Sequence, residues 1–229
     1  MNNLLEGGQD VADLISDAEV INILDHLDEM YPNPKTMLYH ETPFQLVIAV
    51  LMSAQTTDVG VNKVTPTLFA SYPDANAMAE ADIADIEDKI KTIGLYHNKA
   101  KNMKKTAIII RDEFKGQVPQ TREELMQLPG VGRKTANVVL SEAFGVPTIA
   151  VDTHVERVTK RMGIVPPDAS VRETEEILMA RIPKERWRDA HHQFIYFGRE
   201  YCTARNPKCK SDPQINFCEC RDLPQYSAR

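Results

Sequence analysis

The residues whose types and spacing could do chemistry begin in Leu125-Met126-Gln127-Leu128-Pro129-Gly130-Val131-Gly132-Arg133-Lys134-Thr135-Ala136. The pattern predicts a short helix ending at Leu128, a tight turn through Pro129-Gly130-Val131-Gly132, and a second helix from about Arg133. Glycines permit positive φ and close backbone approach. Free N–H groups at such a turn can hold a phosphate, and no glycine side chain keeps a nucleic acid away. Lys134 then falls in a first helical turn, where the positive end of the dipole and the neighbouring Arg133 both favour a neutral amine. The neutral amine is the form that attacks an electrophile. A lysine in that place is equally an ordinary phosphate ligand, and the residues alone leave both roles open.

Eighteen residues after Lys134 lies Asp152, within Thr148-Ile149-Ala150-Val151-Asp152-Thr153-His154-Val155. An apolar run leads into Asp152 at a predicted helix start. Aspartate is a preferred N-cap, which is one reading. The other is a carboxylate that faces the lysine across a groove. The two are compatible, because a cap would hold the carboxylate ionised and oriented.

The four cysteines, Cys202, Cys209, Cys218 and Cys220, crowd into the last 28 residues. A cytosolic chain is a poor place for structural disulfides, so the cluster points to a metal or iron–sulfur site.

The elements that must position these groups read as helices. Ser16 or Asp17 can cap a helix with a stripe of Val20, Ile21, Leu24 and Leu27. Thr42-Pro43 opens a second, with proline at the first helical position, and Thr57 or Asp58 a third. Further helices are expected near 83–92, 98–114, 121–128, 134–143, 153–161, 170–181 and 187–203. Sustained strand alternation and internal repeats are missing from the sequence. The expected class is all-α, two helical lobes with a groove between them.

The net charge of -6 weighs against a nucleic-acid partner, but its distribution does not. Residues 1–30 hold eight acids and no Lys or Arg, whereas residues 91–134 hold ten basic residues against four acids. A local basic surface governs phosphate contact more than the global sum. A solvated helix face is the plainer account of such a run. No apolar run reaches the roughly 18 to 20 residues of a membrane span, and no secretory signal is evident. The chain is expected in the cytoplasm, without a membrane partner.

On these residues the chain resembles the endonuclease III family, within the helix–hairpin–helix superfamily of DNA glycosylases. The resemblance extends to Ser53-Ala54-Gln55-Thr56-Thr57-Asp58, to Gly94-Leu95-Tyr96-His97-Asn98-Lys99-Ala100, to His191-His192 and to Phe197-Gly198-Arg199, covering about residues 20–220. It implies a six-helix barrel lobe at 36–146 containing the hairpin at 125–144, and a second lobe from 1–35 and 147–229. It also implies double-stranded DNA with damaged pyrimidines or abasic sites as substrate, bound by a monomer at the bacterial nucleoid, with the target nucleotide flipped out. Lys134 matches the lysine that attacks C1′, forms a Schiff base and allows β-elimination. Asp152 matches the carboxylate that supports the oxocarbenium-like state. Gln55 matches a residue that fills the vacated space, and Leu95 sits where the family has an apolar wedge. Without the resemblance these two read as a surface amide and a core leucine. Gly130, Val131, Gly132, Arg133 and His154 complete the implied DNA contacts. Related adenine glycosylases lack the lysine, so Lys134 implies a bifunctional glycosylase and lyase. A non-catalytic damage-sensing module on the same fold is the alternative, and it would need neither Lys134 nor Asp152.

The resemblance also implies a [4Fe-4S] cluster on a C-x6-C-x2-C-x5-C tail. Here the pattern is Cys202-x6-Cys209-x2-Asp212-x5-Cys218, with Cys220 two residues beyond. Three outcomes stay open: Cys202, Cys209 and Cys218 with Cys220 as fourth ligand, the same three with Asp212, or no cluster. In the last case Phe217 and Leu223 would be expected to be buried.

Overall fold

The computed structural model describes residues 14–226. Among them the regular elements are eleven α-helices and short 3₁₀ turns, with no strand. Most helices start on a side-chain cap. Helix α1 (Asp17–Met30) begins with a capping box in which Ser16 and Glu19 each satisfy the other's backbone N–H. Thr42 caps α2 (Pro43–Ser53) and Thr57 caps α3 (Asp58–Ser71). Asp74 caps α4 (Ala75–Glu80), too short for periodicity to reveal, and Asp82 caps α5 (Ile83–Ile90). The remaining helices are α6 (Tyr96–Glu113), α7 (Arg122–Leu125), α8 (Arg133–Phe144), α9 (Thr153–Arg161), α10 (Val171–Arg181) and α11 (Trp187–Glu200).

Three expectations are corrected. Ile23, not Ile21, joins Val20, Leu24 and Leu27 in the core stripe of α1. The helix expected over 121–128 is a single turn: the N–H groups of Gln127 and Leu128 bond three residues back, to Glu124 and Leu125, and tighten the chain before the hairpin. Helix α11 ends at Glu200, because the N–H groups of Tyr201 and Cys202 both turn back to the Phe197 carbonyl.

The chain divides into two compact units. One is Lys35–Thr148, with α2 to α8. Its axis is α2, in which every residue from Phe44 to Met52 is buried, against α3, α6 and α8. Each large apolar side chain so buried stabilises by about 1.5–3 kcal/mol. Thr148 belongs to this unit through a buried hydrogen bond from its hydroxyl to the Asn137 carbonyl, 2.7 Å. The other unit combines Met1–Pro34 with Ile149–Arg229, its residues 1–13 and 227–229 lying outside those described. Its core gathers Leu24 and Leu27 of α1, Val155 and Val158 of α9, and Phe194 and Phe197 of α11. No helix among the described residues is long and apolar enough to cross a membrane.

Candidate active site

Within Lys35–Thr148, the hairpin is pinned from both sides. The Thr106 hydroxyl donates to the Pro129 carbonyl at 3.4 Å, and Arg122 Nε of α7 donates to Asn137 Oδ1 of α8 at 2.9 Å. The two glycines have different reasons to be glycine. Gly130 has φ +84, and a Cβ there would lie 3.1 Å from Asn102 Nδ2 and from Leu51 Cδ2. Folding itself requires it. Gly132 is extended at φ -92, and a Cβ there would meet nothing within 4 Å. It is the N-cap of α8 and supplies no side chain to the helix's first amides. Positive φ therefore belongs to Gly130 alone of this pair, and the chain's own packing does not demand glycine at 132. The Val131 side chain is buried, so that residue can offer a ligand its backbone. Lys134 is exposed in the first turn of α8, and its ammonium has no hydrogen bond or ion pair among the described residues.

Gln55 and Leu95 share an unusual feature. Both are exposed non-glycine residues in the left-handed region, at φ 56 and φ 59. Such backbone costs on the order of 1–3 kcal/mol and is kept only where the surroundings enforce it. Leu95 is 58% exposed, so it is not the core leucine that its type alone suggests. It precedes α6 with no side-chain cap. Lys99 joins the two segments: its N–H bonds to the Leu95 carbonyl at 3.0 Å, and its Nζ donates to Thr56 Oγ1 at 2.6 Å. Lys99 is buried, which lowers its pKa. Its role as a clasp escapes the sequence, where it is one lysine among many.

In the other unit, Asp152 caps α9. One carboxylate oxygen, Oδ1, accepts from the N–H groups of His154 (2.9 Å) and Val155 (2.8 Å). Oδ2 takes no hydrogen bond among the described residues. His154 is half-buried, with Nδ1 3.1 Å from Arg157 Nη2. Burial pushes its pKa down, and the charges of Arg157 and Arg199 add to this, while Asp152 opposes it. Gly198 of α11 eases this arrangement: a Cβ there would lie 3.0 Å from Val158 Cγ2 and 3.1 Å from His154 Cβ, so any other residue would push α11 or its neighbours by a few tenths of an ångström. His191 and His192 are buried in α11. Lys134 and Asp152 belong to different units.

The tail is built on α9 and α11. The sulfurs of Cys202, Cys209 and Cys220 all lie within 4.8 Å of one another. Hydrogen bonds from Cys209 and Cys220, aided by Arg161, bring the Cys202 thiol down to about 3, against the effect of burial. The same contacts push Cys209 up. Cys218 is partly buried, and burial raises its thiol to about 12. Arg161 is buried above the group. Its Nη1 donates to Cys202 Sγ at 3.7 Å and to the Thr203 carbonyl, and Nη2 to the carbonyls of Ala204 and Tyr226. Its Nε has no partner among the described residues. A buried guanidinium surrounded by carbonyls and a sulfur, with no carboxylate bonded to it among the described residues, needs negative charge nearby. Metal-bound thiolates would supply it, so the donor set fits a metal–thiolate group. Ile215 of the tail is buried, whereas Phe217 and Leu223 are partly exposed, and Phe217 stacks on His26 at 4.8 Å.

A helical fold that turns a glycine hairpin into an uncapped helix start is the build of a helix–hairpin–helix protein. Residues 48–184 match the model of the HhH-GPD superfamily of base excision DNA repair proteins. The chain is 50% identical to endonuclease III of Bacillus subtilis (strain 168) over 85% of its length and 89% of that relative. It is 48% identical to endonuclease III of Escherichia coli (strain K12), over 90% of its length and 97% of that relative. It superposes with TM-score 0.84 and 49% identity on a trapped endonuclease III–DNA covalent intermediate, covering 90% of this chain and 96% of that one. The chain belongs to the endonuclease III family of HhH-GPD base excision DNA repair proteins.

Proposed function

We propose that this chain is a bifunctional DNA glycosylase and abasic-site lyase that removes oxidised pyrimidines from double-stranded DNA and cuts 3′ to the abasic site. The observation that carries the reading is the start of α8, where an exposed Lys134, without a hydrogen-bond or ion-pair partner among the described residues, follows a glycine that the fold does not require. A related endonuclease III forms a covalent intermediate with DNA. The amides of Gly130, Val131 and Gly132, with Arg133, hold the phosphate backbone and leave space for it at Gly132. Gln55 fills the gap left by the flipped nucleotide and Leu95 wedges the stack, which explains why strained backbone presents both to solvent.

Lys134, as the neutral amine, attacks the sugar C1′. The C1′–N bond breaks and the base leaves with a proton. The sugar ring opens to a lysine Schiff base, a C2′ proton is removed, and the 3′ phosphate departs with the C3′–O electron pair. Hydrolysis of the Schiff base frees Lys134. Asp152 stabilises the cationic sugar and relays protons through the oxygen that α9 leaves unbonded. His154 adds a contact beside it. Cys202, Cys209 and Cys218 with a fourth residue would hold a [4Fe-4S] cluster, a group that can exchange one electron and fasten the loops that ligate it. The same reading has the protein work as a monomer at the cytoplasmic nucleoid.

The test is incubation with a thymine-glycol duplex under borohydride. The expected result is a covalent protein–DNA adduct, and strand cleavage in its absence. Binding with neither adduct nor cleavage would leave a damage-sensing module instead.

A further inference from the structure

Resting on the cluster reading above, we propose that Cys220 is a metal ligand and takes the place that the family's spacing gives to position 212, with Asp212 outside the site. The first support is proximity. Cys220, the last of the four cysteines, is the one whose sulfur joins those of Cys202 and Cys209 within 4.8 Å. The second is that Asp212 has another task. Its Oδ1 accepts from the Gln214 N–H at 3.0 Å, and its carbonyl accepts from the Ile215 N–H at 3.0 Å. The carboxylate thus closes the turn that buries Ile215. A carboxylate is also the harder donor, less suited than thiolate to an iron–sulfur group.

The third support is that the fold holds Cys220 in place by contacts that do not involve its sulfur. The next residue, Arg221, donates its N–H to the Arg161 carbonyl at 2.9 Å. Its guanidinium lies over Gly163, where a Cβ would come within 2.5 Å of it, and Gly163 has φ +73. One residue later, Asp222 pairs with Lys210, beside Cys209. These contacts tie the segment carrying Cys220 to the end of α9 and to the turn carrying Cys209. Arg161 itself serves the site twice: its carbonyl fixes Arg221, and its guanidinium faces Cys202. A cation placed beside the sulfurs in this way offsets the negative charge that accumulates as the thiols lose their protons to a metal.

The experiment compares the full chain with Cys220→Ser, Asp212→Ala and the double variant Asp212→Cys with Cys220→Ser, all purified anaerobically and reconstituted with iron and sulfide. Iron, acid-labile sulfide, zinc and visible charge-transfer absorption are measured per chain. Cys220→Ser should lose about tenfold or more of its bound metal, since even outer-shell changes at metal sites cost 10–100-fold. Asp212→Ala should keep it, and the double variant, which restores the family spacing, should regain it. Should Cys220→Ser not fold, Asp212→Ala decides: full metal in it supports the proposal, and loss of metal overturns it. Full metal in Cys220→Ser overturns the proposal while the cluster reading stands. A chain that binds zinc alone, and loses it in Cys220→Ser, keeps Cys220 as ligand and removes the cluster reading. A chain that takes up neither iron nor zinc overturns both.

Discussion

Two helix starts, those of α8 and α9, meet the same physical demand in opposite ways. Each leaves its first N–H groups without intrahelical partners. At α9 the Asp152 carboxylate satisfies two of them with one oxygen. At α8 the cap is Gly132, which offers no side chain, although a Cβ would find open space there and the backbone would accept one. A chain selected for helix stability alone would place Ser, Asp or Asn at 132, as it places Ser16, Thr42, Thr57, Asp74 and Ser170 before other helices. On the proposed reading the bare start serves a phosphate from outside, and the capped start displays a carboxylate held by its own helix.

The largest expected effect breaks the chemistry at the bare start. Lys134→Ala should abolish the borohydride-trapped adduct while leaving circular dichroism and melting temperature near wild type. Trapping at wild-type yield would remove Lys134 as nucleophile. Lys134→Arg should fail as well, because a guanidinium stays protonated.

At the capped start, Asp152→Asn keeps an N-cap and removes the charge. Single-turnover rates should fall by about 10²–10⁴-fold, the usual reach of acid–base groups, with damaged-duplex affinity preserved. Asp152→Ala should lose the same rate and also about 1 kcal/mol of stability with the cap. A rate near wild type in Asp152→Asn would reduce the residue to a cap.

Exchanging the two designs sharpens the comparison. Gly132→Asp gives α8 the cap it lacks. Melting temperature should hold or rise, since replacing a glycine N-cap gains a few tenths of a kcal/mol. Affinity for any duplex should drop about tenfold or more at low salt, and the steep loss of affinity with rising salt should flatten by about one phosphate contact. Unchanged binding would show that DNA does not use this helix start.

The smallest effect concerns the clasp. Lys99→Met keeps the buried aliphatic stem and loses the bond to Thr56 Oγ1. KM for lesion-containing duplex should rise a few-fold with adduct formation intact, as the segments carrying Gln55 and Leu95 loosen. A fall in trapping yield at saturating DNA would instead place Lys99 in the chemistry.

Much of this was legible in residue order, because capping, turn formation and apolar periodicity are local. Ser16, Thr42 and Thr57 cap helices where their types predict, and Pro129 to Gly132 turn where glycine and proline must. Asp152 as a cap follows from its type and the apolar run before it. Other features depended on partners distant in sequence, and only tertiary packing decided them. Leu95 and Gln55 carry no sign of left-handed backbone, which Lys99 helps to hold across 43 residues. Nor does the sequence distinguish the steric need at Gly130, set by Leu51 and Asn102, from the open space at Gly132. Spacing alone left Cys220 and Asp212 as rival ligands. The proposed choice rests on sulfurs brought together in space and on Arg161, 59 residues before Cys220, whose carbonyl holds the tail and whose buried charge faces Cys202. Local rules follow from neighbours along the chain, whereas burial and charge compensation follow from neighbours in space.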